Sequence, residues 1–360
     1  MFSLPEPVFY IIRFNLTKCK RKLLCKLQPQ GGIEMFKHIK TKVSGAPTPM
    51  GGLALGIASL GWAWESMANL NGVAQYTGAA IASVLLLLLT LKFLLHPQLL
   101  KADLAHPVVG SVVPTFAMAT LVVSNSLGQF YSLAGDVLWV GAFLLHVVFL
   151  ISFIAHRVIE FKIEHMVPSW FVPPVGIIVA DVAFSGNPAL LFLAQGALYF
   201  GMLMYAVMLP MMIYRIIFAA HIPDAAQPTL AILAAPASLS LAGYFTVNSE
   251  PSPVIIGLLF GIAVLMTFII YVAFFKLLRR PFCPGYAAFT FPVVIGATAL
   301  FKLAAWMHTV GIDLQFIKQI QYLATFELIV ASGVVCYVAV RYLAHFKFFN
   351  TQFKPLTLSQ

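Results

Sequence analysis

Tyr76–His96 reads YTGAAIASVLLLLLTLKFLLH: twenty-one residues with a single charge, Lys92, around an aliphatic block from Val84 to Leu89. A helix of that length has no polar face to turn toward water, so lipid is its natural surrounding. Outward along the chain the same test predicts spans near 48–67, 76–96, 107–125, 133–155, 169–186, 189–212, 228–247, 253–275, 287–308 and 319–343. The third and fourth of these ten are separated by only a short break, around Asn125 to Gln129.

Composition agrees with the local reading. Hydrophobic residues make up 61% of the chain, charged residues 9%, and mean hydropathy is +0.92. A soluble domain carries about 25% charged residues, because most of its surface meets water. The spanning elements are predicted to be helices, since a barrel would show short alternating segments instead. The fold expected is an all-α polytopic membrane protein with ten transmembrane helices.

The net charge of +10 does not signal nucleic acid, because the charges follow topology. Nine of the 22 Lys and Arg residues precede Gly45. Lys92, Lys101, Arg157, Lys162, Arg215, Lys276, Arg279, Arg280, Arg341, Lys347 and Lys354 fall on the same side when ten spans are threaded. Only Lys318 lies opposite, and Lys302 falls inside the ninth span. That split predicts both termini in the cytoplasm and the protein integral to the plasma membrane, the inner membrane of a bacterium.

Residues 1–46 form a basic cytoplasmic segment that places Phe9-Tyr10-Ile11-Ile12 before Lys18, Lys20, Arg21, Lys22 and Lys26. A signal peptide has the opposite order. The segment is either an interfacial arm on anionic lipid or an extension upstream of a true start at Met35. Residues 47–345 form the ten-helix domain and 346–360 a cytoplasmic tail. Cys19, Cys25, Cys283 and Cys336 show no C-x-x-C spacing, so neither a disulfide framework nor a metal site is expected.

The odd-numbered spans share a style of proline followed by small residues. They read Pro49-Met50-Gly51-Gly52, Pro107-Val108-Val109-Gly110 with Pro114 further in, Pro173-Pro174-Val175-Gly176, Pro228 with Ala234-Ala235-Pro236-Ala237, and Phe291-Pro292-Val293-Val294-Ile295-Gly296. From Pro49 the steps are 58, 66, 55 and 64 residues, a period that fits one helical hairpin per unit and five units in all. Small residues let backbones approach, and prolines free carbonyls that need a buried or wetted setting. The odd helices are therefore expected inside, around a central passage, and the even ones outside against lipid.

Pro49 to Gly56, His106-Pro107-Val108, Ala235-Pro236-Ala237 and Phe289-Thr290-Phe291-Pro292 together resemble the tellurite-resistance/dicarboxylate transporter family, which includes TehA-like proteins and the plant slow-type anion channels. The resemblance runs from about Pro47 to Tyr342. It implies five helical hairpins around a central pore, a homotrimer, and a pore plugged by a phenylalanine of the ninth helix, which here is Phe291. In the fifth helix the chain departs from the tellurite-resistance members, with Ile177-Ile178 where they carry an asparagine.

Phe291 is thus the candidate gate: an aromatic ring in a narrow passage excludes ions, and a rotamer change opens it. The pore-lining or kink positions are Pro49, Gly52, Pro107, Pro114, Pro174, Pro236, Pro292 and Thr298, the last able to donate to an anion or to its own helix. Lys302 lies about 20° from the face of Phe291, by 100° per residue, and is either an anion-attracting charge in the outer vestibule or a snorkelling lysine. Arg279 and Arg280 could draw anions to the inner mouth or serve as anchors. Asp181 is expected near the outer end of its helix, where water could solvate it, whereas Glu327 lies deeper and could pack protonated or pair with Lys302 or Lys318. His146 is the single mid-span histidine, short of the two that a membrane haem needs. No cofactor, metal or enzymatic activity is expected. The function expected is passage of small inorganic or organic anions, with a proton-coupled carrier of dicarboxylates or oxyanions such as tellurite as the alternative.

Overall fold

The computed structural model describes residues 40–346. Most of the basic segment 1–46, including Met35, and the tail beyond Phe346 lie outside the described residues. The helical body begins at Ala46.

Each predicted span coincides with a helical stretch. The first two are α1 (Met50–Met67) and α2 (Val73–Leu95), followed by the short α3 (Pro97–Ala105). The third predicted span is α4 (Val109–Val112) with α5 (Thr115–Gly128), and the fourth is α6 (Ser132–Ile159). The fifth is broken into α7 (Val172–Val175) and α8 (Val179–Val182), linked by a 3-10 turn. Then come α9 (Leu191–Phe218), α10 (Ala235–Val247), α11 (Pro253–Leu277), α12 (Thr290–Thr309) and α13 (Leu314–His345). Among the described residues there is no strand. Eight helical stretches are long and apolar enough to cross a membrane. The remaining two predicted spans are α1, whose 18 residues include Glu65, and the interrupted Pro168–Val182.

Local chemistry sets the boundaries. Glu65 Oε1 accepts from Leu70 and Gly72 N–H, both at 2.8 Å, which stops α1 and turns the chain into α2. Asp313 Oδ1 caps α13 by accepting from Gln315 N–H at 2.7 Å. The short break between the third and fourth spans is real, because α5 ends at Gly128 and α6 begins at Ser132.

Burial separates two layers. In their most apolar 18-residue windows, 67% of Val109–Gly128, 78% of Asp224–Val247 and 83% of Pro284–Thr309 are buried, against 28–39% for the even-numbered spans, which hold α2, α6, α9, α11 and α13. Every residue from Met166 to Ala183 is buried as well. The helices of the even-numbered spans keep large apolar side chains on the outer surface: Leu87, Val158, Phe192, Phe268 and Tyr322 are exposed there. A surface of that kind is stable only in lipid.

Hydrogen bonds give the directions. The starts of inner elements meet one another: Thr290 Oγ1 donates to Gly52 O at 3.0 Å, Ser111 Oγ to Ser169 Oγ at 2.6 Å, and Trp170 Nε1 to Pro107 O at 3.0 Å. Their ends meet as well, for Asn125 Nδ2 donates to Ala183 O at 3.2 Å and Lys302 Nζ to Thr246 Oγ1 at 2.6 Å. The inner elements therefore run parallel. Outer helices return the other way, so that their basic last turns reach the inner starts. Lys92 Nζ bonds Thr48 Oγ1 at 2.7 Å and Asp103 Oδ2 at 3.2 Å, and Arg157 Nη2 donates to Ala105 O at 2.6 Å. Arg215 donates to the carbonyls of Glu164 and Ala220, and Arg341 lies over the rings of Phe282, Tyr286 and Tyr337.

The prolines mark where inner elements change helix type. Pro236 and Pro292 stand in the first turn of α10 and α12, after 3-10 stretches at Asp224–Ala234 and Pro284–Phe289. Pro114 separates α4 from α5, Pro174 sits within α7, and Pro49 immediately precedes α1. Proline lacks the N–H that an interior α-turn needs, so a 3-10 to α junction is where it fits best.

Candidate functional site

Phe291 lies in the first turn of α12 and is 7% exposed. At four-residue spacing it continues as Ile295, Ala299 and Leu303, a single stripe along the helix. That stripe belongs to one buried cluster with Ala54 and Leu55 of α1, Met118 and Leu121 of α5, Ile178 and Val179 at the start of α8, and Leu239 and Ala242 of α10. Of these inner helices, α1 and α10 pack directly against α12. Phe289 points elsewhere, into a second cluster, with its ring 5.5 Å from Phe274 and 4.8 Å from Tyr286. Gly56 lets α1 come close at this level. A Cβ there would stand 3.2 Å from the Phe291 amide nitrogen and would overlap Thr290.

Gly52 is buried against Ala287, and its carbonyl accepts the Thr290 hydroxyl. Thr298 is buried too, but its hydroxyl donates to Val294 O at 3.2 Å, within its own helix. Pro107 contributes a carbonyl, which holds Trp170.

Farther along α12, Lys302 turns its ammonium inward to Thr246 of α10 rather than out to the membrane surface. Thr246 spends its own proton on Ala242 O at 3.0 Å, so its oxygen is the acceptor for Lys302. Asp181 of α8 is the charge that acts on this ammonium, without forming a direct ion pair with it. The expectation that water solvates Asp181 fails. It is 0% exposed, and neither carboxylate oxygen has a hydrogen-bond partner. Gly243 of α10 leaves the space for that carboxylate, since a Cβ there would overlap it and press on Ile178 and Leu198.

Glu327 pairs with neither Lys302 nor Lys318. Its Oε2 lies against Gly296 of α12 without a hydrogen-bond partner. Ser238, Thr267 and Glu327 supply the polar walls of a small cavity between α10, α11, α12 and α13, with room for the centre of about one water-sized sphere. Tyr271 stands close to Glu327, and its hydroxyl is buried without a partner.

At the opposite, basic end, Arg280 is committed: Nη1 pairs with Asp224 Oδ1 at 3.1 Å, and its carbonyl accepts from Tyr286 at 2.6 Å. Arg279 is exposed beside it. His106, in the link between α3 and α4, accepts from the Val108 and Val109 amides at Nδ1, both at 3.1 Å. Burial, and secondarily the Arg157 guanidinium, hold its pKa below the ordinary histidine value. His146 is fully buried and bonds Pro173 O at 2.8 Å. No group of three or more His, Cys, Asp or Glu residues able to hold a metal occurs among the described residues.

Known proteins are similar to this chain over more than half of its length. The family model described as voltage-dependent anion channel matches residues 47–343. The chain belongs to the voltage-dependent anion channel family. It is therefore an integral membrane protein of a family that transports anions. An uncharacterized transporter of Methanocaldococcus jannaschii is 28% identical over 261 residues, covering 62% of this chain and 73% of that protein. A second from the same organism is 25% identical over 235 residues, covering 56% and 65%. The tellurite resistance protein TehA homolog of Haemophilus influenzae is 25% identical over 265 residues, covering 70% and 79%.

In this member of the family, the sequence brought Phe291 and Lys302 to notice but not Thr246 and Gly243. Both are small residues in a helix of small residues, with no local signal. Their importance comes from what α8 and α12 set against them.

Proposed function

We propose that small anions cross the membrane along the axis enclosed by the parallel inner elements, and that the Phe291 ring closes that passage at rest. The observation that carries this reading is that Phe291, buried in the first turn of α12, belongs to one apolar cluster with residues of every inner element. In the proposed arrangement the helical stretches form ten crossings in five hairpins, with both termini cytoplasmic in a bacterial inner membrane, and three copies assemble. Anions are drawn by the positive field of Lys302 and of the basic end, where Arg279 stays exposed. The protein works as a channel or transporter without cofactor, and not as an enzyme.

The second reading is a proton-coupled carrier of dicarboxylates or oxyanions, tellurite among them. The buried, unbonded Asp181 near Lys302 favours it, since coupling needs an ionisable group inside the membrane.

Reconstitution into liposomes tests both. Chloride or nitrate efflux above that of protein-free liposomes is expected, and the absence of flux for chloride, nitrate and dicarboxylates alike would end the proposal. Flux that persists without any proton gradient supports the channel, whereas strictly stoichiometric proton movement supports the carrier.

A further inference from the structure

Three inner elements place an acid, a hydroxyl and an ammonium together toward their C-terminal ends. Asp181 comes from α8, Thr246 from the last turn of α10, and Lys302 from α12. Lys302 Nζ has three N–H donors, and Thr246 takes one of them. Asp181 has four lone-pair sites, and none receives a donor. Gly243, which lies against the carboxylate, and Thr246, which holds the ammonium, stand one helical turn apart on α10, so the two groups are neighbours without a direct ion pair.

Among the described residues, the groups packed around Asp181 are otherwise uncharged. From α10 it meets Gly243, with Ile178 and Leu198 of α9 alongside. From α6, Trp139 Nε1 reaches the neighbouring Ala180 O at 2.9 Å, and from α5 the Asn125 amide reaches Ala183 O. Among these elements, Lys302 of α12 is the one ionisable group that acts on the carboxyl.

We infer that Lys302 and Thr246 form a binding site for a monovalent anion, and that Asp181 must take up a proton for the anion to occupy it. This rests on the reading of the inner layer as the anion path. The reason is charge balance beside a carboxylate that is fully buried. With Asp181 ionised, the site holds one negative and one positive charge. An arriving anion would leave a net buried negative charge, which is strongly unfavourable. If Asp181 first binds a proton from water, the carboxyl becomes neutral. The anion then takes its place as the partner of the ammonium, accepting the two N–H donors that Thr246 does not use. One O–H bond forms on Asp181 for each anion bound, and it breaks when the anion leaves. Anion and proton enter and depart together, so the step carries no net charge. Gly243 keeps room for Asp181 in either state.

The test uses the full chain in liposomes with nitrate as the probe. Wild-type nitrate flux at sub-saturating concentration is expected to rise by about tenfold per pH unit as pH falls through the range in which Asp181 is ionised. Asp181→Asn, neutral and close in shape, is expected to change flux by less than about twofold over the same range. Thr246→Val should raise the nitrate concentration for half-maximal flux while keeping the pH slope, and Thr246→Ser should restore it. As a readout independent of transport, adding nitrate to detergent-solubilised wild type should draw in one proton per anion, and Lys302→Met should draw in none. A wild-type flux that is flat with pH, or a pH slope retained by Asp181→Asn, overturns the inference. Should Asp181→Asn fail to fold, nitrate addition to wild type without proton uptake overturns it equally. No flux at any pH would instead defeat the underlying reading of the anion path.

Discussion

Phe289 and Phe291 stand two residues apart, yet their side chains are buried in different places. Phe289 packs outward between Phe274 and Tyr286, at centroid distances of 5.5 and 4.8 Å. Phe291 instead belongs to the cluster that also holds residues of α1, α5, α8 and α10. The difference follows from helix geometry, because two residues are about 200° of rotation. One ring is a bolt between layers, and the other sits on the proposed path.

Phe291→Ala should therefore enlarge anion flux in liposomes at equal protein content, with Phe291→Leu between it and wild type. Phe289→Ala should leave flux per folded molecule unchanged and lower thermal stability, since truncating a buried phenylalanine costs about 3–5 kcal/mol. A stable Phe291→Ala that conducts no more than wild type would remove Phe291 as the plug.

The two ion pairs at the basic end should differ sharply in worth. Lys92–Asp103 has side-chain exposures of 7% and 24%, and Arg280–Asp224 has 24% and 84%. Asp103→Ala leaves a buried ammonium with Thr48 and the Phe93 ring but no counter-charge, and should cost about 2 kcal/mol or more. Asp224→Ala should cost no more than about 1 kcal/mol. Melting in detergent ranks the two, and an equal loss would contradict the burial argument.

How much was legible in the sequence depended on range. The predicted spans match helical stretches because length and apolarity are local properties, as in Val73–Leu95. The buried character of the proline-bearing elements followed from their small residues, which close packing requires. The position of Asp181 near the end of a predicted span suggests water, whereas the approach of Gly243 and Leu198 that excludes water is a tertiary fact. Arg280 looked like any loop cation until Asp224, 56 positions earlier, was found beside it.

His106 should make stability fall in mild acid. Its Nδ1 accepts two amides and must stay unprotonated to do so, and burial lowers its pKa from the ordinary 6.5. An unfolded chain then takes the proton more readily than the folded one. The stabilisation is thus complete above 6.5 and is lost as pH drops from there through the folded value. His106→Asn keeps an acceptor for the amides and does not titrate, so its melting temperature should drop less than that of wild type between neutral and acid pH. Parallel curves for the two proteins would count against this role.

Orientation can be read from single thiols. The basic last turns of α2, α6, α9 and α13 gather at one end of the body, where Lys92, Arg157 and Arg215 tie the inner starts. Cytoplasmic loops carry the excess of Lys and Arg, so this end should face the cytoplasm. Lys101 in α3 is exposed at that end, while Glu250, between α10 and α11, is exposed at the other. Each is replaced by cysteine in a chain whose four native cysteines are serine. A membrane-impermeant maleimide added to intact cells should label Glu250→Cys and leave Lys101→Cys untouched until the cells are permeabilised. The reverse pattern would invert the protein, putting the basic mouth outside and making Lys302 and Asp181 face the cytoplasmic end. Labelling of both positions in intact cells would mean that α4 to α10 cross the membrane an even number of times, and the arrangement of crossings would need to be redrawn.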